Sequence, residues 1–437
     1  MSEEGLFPCG VSQDHRPDVP QITSNLSVLD PLGMPLTTTV LSGERADDPL
    51  SGPEITRVQQ RLGCQGMPDI GECNMGSLET RAYVEASHDY DLCPLAGVQM
   101  PVGTLEELLQ PVLTGQQPVR PVYRPDEPKD QPQERIAEGF ECSRELTADL
   151  NGRPIQWTER RCIVRSVRYA TSQEKVLRAC VDKALTAIDA LNQRSRGKKR
   201  FTEESERQVV CQKIVETDHV ERVISLTCSN HTTSRRLRRD KNRPEPVRAE
   251  RDVSVRAHVD QNALEAQINT LDWRVYVTNQ PHEQLSLDQV VLAYREQCVI
   301  ESSLGRLKHK SLSLTPMYLT SDDRVRGLVR LLTIGLRVLT LSEFLVRRTL
   351  SQEGTKLSGM YSGNPKRATA RPTTEMMLNT FKELTLTLIQ QEHGRQAPVP
   401  PLSQVHTRIL ELIGISQEMY LRLTQHFSKP MFEMSER

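Results

Sequence analysis

The chain has 437 residues, and its 56 Lys and Arg against 57 Asp and Glu leave a net charge of −1. That balance excludes a global basic field as the means of attracting a polyanion, so any nucleic-acid surface must be a local patch. The length allows roughly two to four domains with proper cores, while 37% hydrophobic residues, 4% aromatics and a mean hydropathy of −0.50 describe a polar, loop-rich chain short of the disordered extreme.

Ten cysteines occur singly, with no Cys-x-x-Cys pair to suggest zinc, and suit reduced thiols in a cytosol or nucleoid. The start, MSEEGLFPCG, has no secretory apolar core. Gln21 to Leu29 and Pro35 to Leu41 are β-rich and are joined by Asp30-Pro-Leu-Gly33, a tight-turn composition. Ser51 to Leu62 carries Ile55, Val58 and Leu62 at helical spacing. A short strand around Asp69 to Glu72, a helix from Ser77 to Ser87 and a strand from Tyr90 to Leu95 follow, an order that suits a mixed sheet flanked by helices. The Pro-rich stretch from Pro111 to Gln133 is predicted to be an extended, exposed linker.

Beyond it, Arg135 to Tyr169 alternates as two strands about Asn151-Gly152, a strong hairpin signal. Ser172 to Asn192 is an amphipathic helix ending in the basic run Arg194 to Arg200, and a second basic run spans Arg235 to Arg251. These runs either follow DNA phosphates or are simply solvated. Trp273 to Asn279 reads as a buried strand, in which Trp273 is a core anchor or, alternatively, a base wedge. A single helix is predicted from Ser286 to about Lys310, and an apolar one from Asp323 to Leu350. Arg330 and Arg337 interrupt the latter's most apolar stretch and would cost several kcal/mol in a bilayer, so it is expected to be a buried helix with no membrane role. Short helices at Thr374 to His393, Gln404 to Ile415 and Gln417 to His426 complete the chain. The expected divisions are 1–104, 105–260 as a partly β insertion, 261–350, and a helical region at 351–437.

The helix SLDQVVLAYREQCVIESSLGRLKHK carries the chemistry. In one continuous helix, Tyr294, Gln297, Glu301 and Lys308 stand at offsets 0, 3, 7 and 14 and project onto one stripe, beside an apolar stripe of Ile300, Leu304 and Leu307. A carboxylate able to hold a cation and an ammonium able to hold a phosphate are what metal-dependent phosphoryl transfer needs. A solvated face with incidental charges has the same spacing. Asp14-His15-Arg16 is a loop cluster that either touches DNA or is merely exposed.

The wording of this helix resembles the Tyr-x2-Arg-x3-Glu-x6-Lys signature of the DDE transposases of bacterial insertion sequences, with Tyr294, Glu301 and Lys308 in register and Gln297 at the Arg position. GVSQDHRPDVPQ with the hairpin after it, DIGECNMGSLETRAYVEASHDYDLCPL, and PMYLTSDDRVRGLVRLLTIGLRVL resemble further segments of the same family in the same order. The resemblance implies an RNase H-like α/β core, a mixed sheet flanked by helices and interrupted by a partly β insertion. It also implies carboxylates around Mg²⁺ or Mn²⁺, and cleavage and strand transfer at the terminal inverted repeats of an insertion sequence. Glu72 and Glu301 become the catalytic, metal-binding acids. Tyr294, Gln297, Lys308, His15 and Arg16 become the DNA contacts. Glu72 stands where the family has Asp, and Asp69, three residues away on a strand, should point to the other face. The family's first acid belongs on a strand upstream of the Asp-His-Arg-Pro segment, so an N-terminally truncated or decayed transposase is expected, with a possible homodimer and a cytoplasmic, nucleoid-associated location. The alternative is a non-catalytic DNA-binding remnant on the same scaffold.

Overall fold

The computed structural model describes residues 5–9, 18–43, 50–125, 133–193, 201, 203–236, 247–296, 298–309, 311–385, 387, 389–391, 394–396, 400–419 and 422. The chain divides into two compact units, residues 1–67 with 295–437, and residues 68–294. The architecture is mixed α/β, its largest element a six-stranded mixed sheet flanked by helices.

The discontinuous unit begins with an antiparallel hairpin, β1 (Ile22–Leu29) and β2 (Met34–Ser42). Its turn ends at Gly33, whose φ of +66° suits glycine and where a Cβ would stand 2.9 Å from Val299. Helix α1 (Ser51–Leu62) lies on this hairpin through Glu54, a buried carboxylate that accepts hydrogen bonds from Ser27, Thr37 and Thr39 and is paired with Arg57. The hairpin forms a two-stranded sheet of its own and does not join the larger sheet that the order of elements had suggested.

In the continuous unit the sheet order is β3-β4-β10-β7-β6-β5, from β3 (Pro68–Ile70), β4 (Tyr90–Pro94), β5 (Arg120–Tyr123), β6 (Arg135–Leu150), β7 (Arg153–Ser166) and β10 (Trp273–Thr278). Only β3 and β4 run parallel, joined through helix α2 (Leu78–Ala86), which Ser77 caps by accepting the Thr80 N–H. Helix α3 (Thr104–Leu113) follows β4. The supposed linker thus begins inside a helix and continues into the edge strand β5, where Val122 is fully buried; residues 126–132 lie outside the described residues. The Asn151-Gly152 turn is as predicted, both residues at positive φ, but its two strands belong to the main sheet: β7 pairs with β10 from Trp273↔Arg165 to Thr278↔Arg160.

Residues 167–271 leave and re-enter the sheet between these two neighbours. They form α4 (Val167–Asn192), α5 (Glu204–Thr217), the hairpin β8 (Ile224–Arg236) with β9 (Val247–Val259), and α6 (Gln261–Asn269). This region has its own core of Leu177, Val181, Ala184, Ile188, Cys211, Val215, Val255 and Leu264. The alternation of α4 explains its attachment, since Leu177, Val181, Ala184 and Ile188 recur every three or four residues on the buried face. The basic run 194–200 lies outside the described residues, as does the middle of the run 235–251.

The two faces of the main sheet are covered differently. Leu92, Cys162, Val164 and Tyr276 face helix α7 (Leu287–Arg295), with Leu287, Val290 and Val291 buried against them. Cys93, Phe140, Ile163, Val275 and Val277 face the α3 side with Leu109. Trp273 belongs to that core, 8% exposed, its Nε1 donating to Asn269 O and its ring edge-on to Phe140, which supports the anchor role over the wedge.

The predicted helix over 286–310 is broken. α7 ends at Arg295 and α8 (Cys298–Lys308) begins three residues later, at the boundary between the two units. α8 belongs with the first hairpin, Leu304 and Leu307 packing in one cluster with Leu26 and Val40, and Ser303 Oγ donating to Gly33 O at 3.0 Å. The same cluster holds α9 (Asp322–Glu353) through Val325, Val329 and Leu336. The expectation of a buried helix is corrected here: Leu331, Ile334, Val338 and Leu341 form an outer apolar stripe 44–64% exposed, and Arg337 turns inward to donate to Pro35 O and Leu36 O at 2.8 Å. α10 (Thr374–Thr380) and α11 (Gln404–Ile413) close a smaller core with Val346, Leu350, Met377 and Ile409. The helix expected over 374–393 stops at Thr380, and the one expected over 417–426 lies largely outside the described residues.

Candidate functional site

At the β3 end of the sheet, Asp69 and Asp91 are register partners on parallel strands, so their side chains share one face. Asp91 is 3% exposed and is locked by reciprocal bonds with Asn279, accepting its N–H through Oδ1 and donating its own N–H to Oδ1 of the amide, each at 2.9 Å. Asn279 Nδ2 then donates to Glu85 Oε2 at 2.8 Å and to Asp89 O at 3.0 Å. One amide at the end of β10 thereby gathers Glu85, Asp89 and Asp91 behind Asp69. Burial, then the charges of Asp89 and Asp91, push the Asp69 carboxyl up to about 7. Burial also raises Asp91 to about 6 against the opposing effects of Asn279 and Arg81.

Glu72 lies just past β3, with extended backbone before the short 3₁₀ turn Cys73–Gly76. Tyr294, near the end of α7, sets its ring 4.7 Å from that of Tyr276 on the sheet. Burial first, and then the charges of Tyr276 and Glu72, push its hydroxyl up to about 12. Two residues remote in sequence, and both expected at the site, therefore share one electrostatic neighbourhood in this unit. Asp69 keeps different company, its charged neighbours being Asp89 and Asp91.

In the discontinuous unit, Glu301 and Lys308 both lie exposed on α8. Seven residues apart, they fall on one face, roughly 10 Å along the helix axis. Between them Arg306 turns inward to Glu343 and Glu375, tying α8 to α9 and α10. Because α7 and α8 are separate helices, the single continuous helix on which the spacing of Tyr294, Glu301 and Lys308 was read is not present. Gln297, His15 and Arg16 lie outside the described residues.

Sequence reasoning passed over the Asp69, Asp89 and Asp91 group. The signal was available as three acids within HDYD and PDI, but only the parallel pairing of β3 with β4 brings Asp69 beside Asp91. Among the described residues, no three His, Cys, Asp or Glu side chains converge as a metal-binding group. No helix among them is long and apolar enough to cross a membrane. No protein-family model matches the chain, and no curated protein does.

Proposed function

We propose that the chain is a DDE-type transposase polypeptide with an RNase H-like scaffold, acting in DNA transposition on the terminal inverted repeats of an insertion sequence. What supports this reading is that Glu72, from the segment resembling the second-acid strand, and Tyr294, from the segment resembling the signature helix, lie in one unit, near enough for the Glu72 charge to help raise the Tyr294 hydroxyl. Tyr294 and Lys308 grip the DNA backbone near the end to be cut, together with Gln297, His15 and Arg16, while Glu72 and Glu301 are the acids of the reaction. A divalent cation, Mg²⁺ or Mn²⁺, would supply activation of water or a 3′-hydroxyl and stabilisation of the leaving oxygen. The residues that would hold it are Glu72 and Glu301, and among the described residues no group of three or more His, Cys, Asp or Glu gathers around either. That same observation favours a second reading, a non-catalytic remnant that binds element ends. We assign the protein to the nucleoid-associated cytoplasm.

The test is a nicking and strand-transfer assay on DNA carrying the inverted repeats, with Mg²⁺ or Mn²⁺. The transposase reading expects cleavage that Glu301→Ala and Glu72→Ala abolish, and end binding weakened about tenfold or more by Lys308→Ala. End binding without cleavage identifies the remnant, and the loss of both functions in the wild-type chain refutes the family assignment.

A further inference from the structure

A second cluster on the sheet, built on β6, β7 and α2, has an excess of positive charge with no catalytic part in the reading above. Glu159 on β7 is 1% exposed and receives three guanidinium groups. Arg81 of α2 donates to Oε2 through Nη1, Arg144 to Oε1 through Nε at 2.6 Å, and Arg161 to Oε1 through Nε at 3.4 Å. The register explains the convergence. Arg144 pairs with Glu159 across the β6–β7 ladder, and Arg161 stands two residues further along β7 on the same face.

Three cations on one carboxylate is an unbalanced set in a place this dry. The next titratable neighbours are Asp91, beyond Arg81, and the thiols Cys93 and Cys142, all three raised by burial. With Asp91 ionised the group still holds one net positive charge, and with Asp91 protonated it holds two. Burial, then repulsion from Arg161 and Arg81, draws the Arg144 guanidinium down to about 10, the response of a cation short of counter-charge.

Hydrogen bonding is also unfinished. A guanidinium has five N–H donors, yet Arg144 and Arg161 each bond only to Glu159 among the described residues. The Arg81 side chain is 5% exposed, and its Nε is buried with no hydrogen-bond partner. Arg144, with 33% of its side chain exposed, keeps the cluster open to solvent. A tetrahedral oxyanion offers several acceptors to such planar forks and supplies the missing negative charge.

We propose that Arg144 and Arg161, backed by Arg81 and held in place by Glu159, form a binding site for a phosphate group. The inference is independent of the transposase assignment, because it needs neither Glu72 nor Glu301. The phosphate is either free or part of a nucleic-acid backbone, since the recognising chemistry is the same.

The experiment uses the full chain and inorganic phosphate. Thermal unfolding is followed against phosphate, with sodium chloride at matched ionic strength as the reference. A saturable rise in Tm of a few degrees beyond chloride is expected, with Arg144→Gln weakening apparent affinity tenfold or more. As a readout on the unaltered protein, millimolar phosphate should slow phenylglyoxal modification of Arg144 at least threefold, as mapped by mass spectrometry. Short duplex DNA that gives the same protection identifies a backbone phosphate, and protection by phosphate alone identifies a free one; both support the site. A phosphate response no different from chloride, or unchanged Arg144 labelling, overturns it and leaves the cluster a structural ion network.

Discussion

Asp69 makes the folded chain's stability depend on pH in an unusual direction. Its carboxyl rises from 3.8 to about 7 on folding, so the folded state holds the extra proton between those values. This contribution is therefore fully present below about pH 4 and is lost as pH rises through 7, opposite to an aspartate held in an ion pair. Asp69→Asn keeps a polar side chain without the charge. It is expected to be more stable than wild type by about 1–2 kcal/mol at pH 8, and to lose that advantage progressively as pH falls towards 4, as read from urea unfolding across that range. Glu159 predicts the reverse sense. Glu159→Gln leaves three guanidinium groups facing each other without their anion, and should destabilise by about 3–5 kcal/mol at pH 7 in the same measurement.

At the scale of elements, α9 separates burial from mere hydrophobicity. Leu336 is 0% exposed and packs with Val325 and Val329, so Leu336→Ala should cost about 2–5 kcal/mol. Leu331, only five residues earlier, is 64% exposed, and Leu331→Ala should change stability by less than about 0.5 kcal/mol. Paired denaturant melts check the contrast. The sequence made α9 legible as a helix but hid which side was covered, because apolar residues occur on both of its faces. Local chemistry did place the elements it controls: the Asn151-Gly152 turn and the 3.6-residue spacing of Ile55, Val58 and Leu62 named their structures directly. The interruption between Arg295 and Cys298 had no such mark, since neither Pro nor Gly stands there and the apolar spacing runs through. Its cause is tertiary. Glu296 shares a hydrogen bond with Asp30 in the β1–β2 turn, and Val299 and Ser303 meet Gly33. The candidate site was legible to the same degree. Glu72 and Tyr294 were found from motif wording, whereas Asp91 and Glu159 emerged only once strand register put them beside Asp69 and Arg144.

For the molecule as a whole, the way one region departs from the sheet matters most. Residues 167–271 carry their own apolar cluster, yet the strands on either side of them are laddered neighbours, Arg165 directly opposite Trp273. Were that region excised, Ser166 and Asp272 would be left as a two-residue link, the commonest length for joining antiparallel strands. A chain in which Asn-Gly replaces residues 166–272 is expected to keep a cooperative urea transition, with an m-value reduced in proportion to the surface removed. Arg165 would give up its bonds to Ile268 O and Leu271 O and keep Glu138. The sheet thus treats a hundred residues as a cassette plugged into a single hairpin socket, whose contents can be lengthened, exchanged or lost without moving a strand.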